Sequence, residues 1–218
     1  MKILILGASG RTGKLILKES LQQGLDVNCL VRNPDSVLSK HASLSIFKGS
    51  PDNIHDLEKA LKGCDAVISA LNISRRSDFP WSRLRTPHTF LSDVAKNIIE
   101  LNKHLPIKNI IVCSAWGVSE TKKDIPFWFR WLIDFSNIGV AYKDHERQEE
   151  LLKKSNLSYI IVRPVGLTNF KQVNPVLESY TNHPKPRLII SRTNLAKFMV
   201  SALHRKDLLG HMPVISEN

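Results

Sequence analysis

Carboxylates are the scarce charged residues of this chain: 20 Asp and Glu stand against 31 Lys and Arg in 218 residues, a net charge of +11. Such a deficit attracts polyanions. The cations, however, are spread in short groups such as Arg75-Arg76, Arg83/Arg85 and Lys122-Lys123, with no basic tail and no helix-turn-helix or RNA-binding signature. A nucleic-acid partner is therefore not expected. Cysteine is nearly lacking too. Cys29, Cys64 and Cys113 lie far apart in or beside apolar runs, an odd number without CxxC spacing. That excludes a disulfide framework and a zinc site, and leaves reduced thiols acting as small hydrophobes. No apolar run reaches the ~20 residues that cross a bilayer, and the chain opens on a strand rather than a targeting segment. The expectation is a cytoplasmic protein without a membrane partner. Internal repeats and low-complexity linkers are missing as well, so residues 1–218 read as one domain.

What is present is an alternation of strands and helices, the pattern of a parallel sheet covered on both faces. Strands are expected at 2–6, 27–31, 44–47, 66–70, 109–113 and 159–162, with later extended pieces at 187–190 and 212–215. Helices are expected at 11–23, 52–61, 89–103, 142–154 and 194–203, from amphipathic spacing and from Gly24 and Gly63 as stops. The fold class is α/β, a doubly wound parallel sheet of Rossmann type, whose C-terminal third completes a substrate pocket over the carboxyl edge.

Gly7-Ala8-Ser9-Gly10-Arg11-Thr12-Gly13 follows the first strand directly and opens the first helix. Glycines let the backbone turn tightly, and free N–H groups at the helix start face an anion, so the segment reads as a phosphate cradle for a dinucleotide. A site specific for NAD places Asp or Glu at the end of the second strand. Here that strand is followed by Arg32, whose guanidinium suits a 2′-phosphate. Arg11 is placed to clamp the same group. NADP is the expected cofactor; the alternative for Arg32 is a solvated loop residue.

Together with Leu30-Val31-Arg32-Asn33-Pro34, Cys64 to Ala70, Ser114-Ala115-Trp116-Gly117, Asp144 to Glu149 and Ser158 to Pro164, the glycine turn resembles the atypical short-chain dehydrogenase/reductases of the NmrA-like and NAD(P)H-flavin reductase type. The resemblance spans the chain, with its motifs in order. It implies that Gly7, Ser9, Gly10, Arg11, Thr12, Gly13 and Arg32 hold the pyrophosphate and 2′-phosphate. It also implies that Ala70 and Leu71 line the path from ribose to nicotinamide, and that Pro164 and Val165 pack near the carboxamide. Asp52 takes the place of the family's adenine-side aspartate, although Gly49-Ser50-Pro51-Asp52 departs from the usual Gly-Asp.

Three residues are candidates for the chemistry. Ser114, at the exit of the fifth strand, either donates to a substrate oxygen or finishes its strand on its own backbone. Tyr142 is followed one helical turn later by Glu146 where a short-chain dehydrogenase carries lysine, so the usual acid/base pair is missing. His145 either relays a proton or joins Asp144 and Glu149 in a helix-surface network. A missing tyrosine–lysine pair favours a flavin, quinone or other conjugated acceptor, which the pocket need only position. A dinucleotide-sensing regulator that performs no chemistry is the rival. The stripe Trp128, Trp131, Leu132, Phe135 is read as core, as a wall for a flat substrate or as a self-association patch. A monomer is expected.

Overall fold

The structure is a computed structural model that describes residues 1–170 and 174–218. In chain order its elements are β1 (Lys2–Leu6), α1 (Arg11–Gln22), β2 (Asp26–Val31), β3 (Leu44–Lys48), α2 (Ile54–Leu61), β4 (Ala66–Ser69), α3 (Phe90–Leu101), β5 (Asn109–Cys113), α4 (Phe127–Asp134), α5 (Ile138–Lys154), β6 (Tyr159–Pro164), β7 (Gly166–Thr168), β8 (Val176–Ser179), β9 (Ile189–Ser191), α6 (Arg192–Ser201) and β10 (Val214–Glu217). The main sheet runs β3-β2-β1-β4-β5-β6-β10-β8, parallel throughout except for the antiparallel β8 at its edge. β7 and β9 form a separate parallel pair.

Successive side chains of β1 leave on opposite faces, and both faces are covered. Ile3 and Ile5 enter the cluster under α1 and α6 with Ile16, Leu17, Leu195 and Met199. Leu4 and Leu6 enter the cluster under α2, α3 and α5 with Leu57, Val94, Ile98 and Leu152. This two-sided burial is why β1, β4 and β5 read as unbroken apolar runs, and each such side chain contributes about 1.5–3 kcal/mol of transfer free energy.

Several boundaries differ from expectation for local reasons. α2 begins at Ile54, because the Asn53 side chain accepts the His55 and Asp56 amides at 3.0 and 3.3 Å and so occupies the cap. α5 begins at Ile138, four residues before Tyr142, and β10 covers 214–217 rather than 212–215. β7 and β8, each of three or four residues, had no sequence signal.

The stripe of Trp128, Trp131 and Phe135 is not core. All three are exposed, and α4 instead buries Ile133 while turning the half-buried Phe129 inward. Phe129 meets Tyr142 edge to face at 6.1 Å, and the Ile133 carbonyl lies where a Cβ on Gly139 would come within 2.2 Å. The close approach of α4 to α5 at Gly139 decides which face of the helix is covered.

Candidate active site

The strand order reverses between β1 and β4, and beyond their carboxyl ends a cleft of about 790 Å³ opens. Ligands occupy this position in open α/β sheets. One end is built by the turn after β1. Gly7 has φ +85°, and a Cβ there would lie 2.9 Å from the Ala70 carbonyl oxygen. Gly13 is packed against the same turn so closely that a Cβ would come within 2.0 Å of the Gly7 oxygen. The Gly10 amide donates to the Gly7 carbonyl at 2.9 Å, and the first helical bond of α1 runs from Lys14 to Gly10 at 3.0 Å. The amides of Arg11, Thr12 and Gly13 therefore lack intrahelical acceptors, no side chain caps them, and the first turn holds no carboxylate. Such a helix start is a fit for a pyrophosphate.

Charge in the cleft points the same way. Among the described residues, Arg11, Arg32, Arg75, Arg85 and Arg192 line it against the single carboxylate of Asp78. Arg11 holds Asp78 by two bonds of 3.1 and 2.9 Å, tying the glycine turn to the loop after β4. That bond and the guanidinium charge keep the Asp78 carboxyl below its ordinary pKa. Burial and then the charge of Arg11 lower the pKa of Arg192, which marks a cation with little compensation around it.

Of the residues expected at the cofactor, Gly7, Ser9, Gly10, Arg11, Thr12, Arg32, Ala70, Leu71, Ser114, Pro164 and Val165 all line this cleft. Gly13 lies behind the turn. Asp52 is not among the lining residues, although its neighbour Pro51 is. Its carboxylate accepts from the Ser50 hydroxyl and its carbonyl accepts from Asn97 Nδ2 at 3.0 Å. The Ser50 amide turns instead to Asp56 Oδ2 at 3.2 Å.

At the other end Ser114, Tyr142 and His145 come together with Trp116 and Phe129. Ser114 does not bond its own backbone: its hydroxyl donates to Glu149 Oε1 at 2.6 Å. Glu149, fully buried, also accepts from Arg163 Nε at 3.0 Å, and the far side of that guanidinium pairs with Glu120. Burial works to lower the Arg163 pKa, but the two carboxylates outweigh it and leave it raised. The Tyr142 hydroxyl donates to the Trp116 carbonyl at 3.2 Å, and burial raises its pKa. His145 is buried with Nδ1 unpartnered; burial lowers its pKa against the pull of Glu149, Gln148 and Asp144, so the ring is neutral at pH 7. Cys113, also in the lining, stays a thiol, its pKa pushed up by burial to about 12.

Asp144, His145 and Glu149 are all buried, so they form no surface network. Asp144 instead accepts the Leu91 amide at 2.7 Å and the Ser92 hydroxyl at 2.6 Å, holding the start of α3. Sequence reasoning put Glu149 on a helix surface rather than under Ser114, and missed Arg163 as a site residue. Both left a signal: Glu149 falls at i+7 from Tyr142 and i+4 from His145 on one helical face, and Arg163 continues an otherwise apolar strand. It missed Glu120, Asp78 and Arg192 as well, which local sequence does not reveal.

A family model described as NAD(P)H-binding matches residues 7–206. The chain belongs to this NAD(P)H-binding family. It is 26% identical over 216 residues to the uncharacterized sugar epimerase YhfK of Bacillus subtilis, covering 95% of this chain and 90% of that one. A short-chain dehydrogenase/reductase of Veillonella parvula, solved in complex with NADP, superposes with a TM-score of 0.77 at 19% identity over 99% of this chain and 94% of its own. ChuY, an anaerobillin reductase of Escherichia coli O157:H7, superposes with a TM-score of 0.79 at 16% identity over 100% and 97%. The resemblance to atypical short-chain dehydrogenase/reductases thus holds at the level of family domain and fold. Within the NAD(P)H-binding family, the glycine turn and its free amides are the parts that suit a dinucleotide.

Proposed function

We propose that the protein is an NADPH-dependent reductase that passes hydride to a flavin, quinone or similar conjugated small molecule. The observation that carries this reading is the state of the proton donors beside the aromatic wall. Tyr142 has its hydroxyl on the Trp116 carbonyl, Glu146 stands one turn on, and Lys143 faces solvent. A keto–alcohol interconversion needs a proton delivered at the reacting oxygen, whereas a flavin or quinone accepts hydride and collects its proton from water. The same lack speaks against the epimerase activity in the name of YhfK, while the reductase activity in the name of ChuY is in keeping with the proposal.

The cofactor, when bound, supplies hydride from its nicotinamide. This chain's residues do the positioning. The α1 amides and Arg11 hold the pyrophosphate, Arg32 takes the 2′-phosphate, and Ala70, Leu71, Pro164 and Val165 guide the nicotinamide. Trp116 and Phe129 flank a flat acceptor, and Ser114 faces it with an oxygen fixed by Glu149.

The test titrates NADPH and NADH and then follows NADPH consumption with flavins and quinones. Turnover with such an acceptor and tighter binding of NADPH support the proposal; tight binding without turnover on any acceptor sinks it. A second reading, a dinucleotide-sensing regulator, draws on the commitment of both the Ser114 and Tyr142 hydroxyls inside the protein. It requires equal affinity for oxidised and reduced cofactor and no turnover.

A further inference from the structure

Six large aromatic side chains enter neither the core nor the cleft. Phe79, Trp81, Phe127, Trp128, Trp131 and Phe135 are 45–75% exposed and fall in two segments, the loop after β4 and α4 with its C-cap, whereas Leu38, Phe170 and Leu188 are exposed elsewhere in the chain. Four of them join ring to ring, and Phe127 and Trp128 lie on α4 one turn before Trp131. Rings meet in a chain from Phe79 to Trp81 at 5.3 Å, on to Trp131 at 6.5 Å and to Phe135 at 5.6 Å. Trp81 Nε1 donates to the Phe135 carbonyl at 2.8 Å, and Asn137 Nδ2 donates to the carbonyls of Trp81 and Ser82 at 3.0 and 3.1 Å. The loop after β4 is thereby locked onto α4. A contiguous exposed patch of this kind marks an interaction surface.

The charge around it names the occupant. The loop is a short hairpin whose arms bridge at Arg75 and Leu84, and the next pair puts Arg76 opposite Arg83, the amide of one on the carbonyl of the other at 3.0 Å. Like charges facing each other across a hairpin are unfavourable unless an anion lies between or above them. Among the described residues neither has a carboxylate partner. The carboxylates of the same two segments are already engaged, Asp78 by Arg11 and Asp134 by Lys122. A second copy of the chain would bring the same cations face to face in an isologous contact. Three protruding tryptophans with an amphipathic ring, three phenylalanines and unpaired arginines match the interface of an anionic bilayer, where indoles sit at headgroup level and guanidiniums meet phosphates.

We propose that this face docks the protein on an anionic bilayer surface, with α4 and the loop tip in the headgroup layer. Among the described residues no helix is long enough and apolar enough to cross the membrane, and the association proposed is peripheral. Arg75, Ser77 and Phe129 belong to the same two segments and line the cleft, so docking sets its substrate end beside the lipid. The sequence, judged on the lack of a spanning run, held no expectation of a membrane partner. The proposal does not depend on the reductase reading, because its readout is binding.

The experiment is flotation of the full chain with vesicles of phosphatidylcholine alone and of phosphatidylcholine mixed with phosphatidylglycerol, with tryptophan emission recorded in parallel. The expected result is flotation with the anionic vesicles only, a blue shift of emission, and release near 1 M salt, where the screening length is about 3 Å. Phe127→Ser/Trp128→Ser and Arg76→Glu/Arg83→Glu, all outside the cleft, should each weaken vesicle binding about tenfold or more. Both should keep the parent's NADPH affinity, which certifies the fold. Absence of flotation with either vesicle overturns the proposal, as does equal flotation with both. So does concentration-dependent dimerisation that Phe127→Ser/Trp128→Ser abolishes, which gives the face to a second copy.

Discussion

Arg163 is only 1% exposed, and it is retained there because two carboxylates surround it. An isolated buried guanidinium would cost far more than its packing returns, so the pair stands or falls together. Glu149→Ala should lower the unfolding free energy by about 3–5 kcal/mol, and Glu149→Met/Arg163→Met should recover much of that loss. Equilibrium denaturation of the three proteins measures both. Ser114 loses its acceptor in the same variants, so its hydroxyl becomes free to rotate. Arg32 is the opposite kind of residue, exposed and without a carboxylate partner among the described residues. If it receives the 2′-phosphate, Arg32→Asp should weaken NADPH binding about tenfold or more, the worth of one charge-assisted bond, while NADH binding holds or improves. Titration with the two cofactors reads the ratio, and an unchanged ratio removes Arg32 from the site.

Among the elements, α3 shows how one helix is started by another. Its cap residue Thr89 makes no capping bond, and its first-turn amide at Leu91 is satisfied by Asp144 on α5. A carboxylate there also meets the positive end of the helix. Asp144→Ala should cost about 2 kcal/mol, and hydrogen exchange should speed up first at the Leu91 amide. Elements of this length were readable wherever burial imposes a period. β1, β4 and β5 are continuous apolar runs, and α3 carries Phe90, Val94, Ile98 and Leu101 on one face. The glycine turn was readable because only glycine meets the geometry at positions 7 and 13. The rest depends on partners distant in sequence. Asp144 reaches α3 across 53 residues and Arg11 reaches Asp78 across 67. α4 misled for a related reason: its most regular stripe is the exposed one, and which face is covered was set by the missing side chain of Gly139.

For the molecule as a whole, part of the surplus of positive charge gathers where an anion fits, with five arginines and Asp78 around the cleft. A ligand that binds only the folded state adds its binding free energy to stability. At a concentration a hundred times its dissociation constant that is about 2.7 kcal/mol. For a chain of this size NADPH should then raise Tm by about 5–10 °C. Differential scanning fluorimetry with NADPH and NADH at equal concentration should give the larger shift for NADPH, and no shift with either would contradict the cleft as a dinucleotide site.

The place of β10 has a consequence for how the chain is made. The last strand in the sequence is an inner one, pairing with β6 through Val214 and Arg163 on one side and with β8 on the other. Glu217 there accepts the Ser191 amide at 2.7 Å and a donor from Asn194 at 2.8 Å, so it also anchors the start of α6. During synthesis β6 is left as a bare edge, and α6 without its anchor, until residues 214–217 leave the ribosome. A nascent chain folds its N-terminal strands early, but β6 and β8 gain the strand that joins them only after residues 214–217 have emerged.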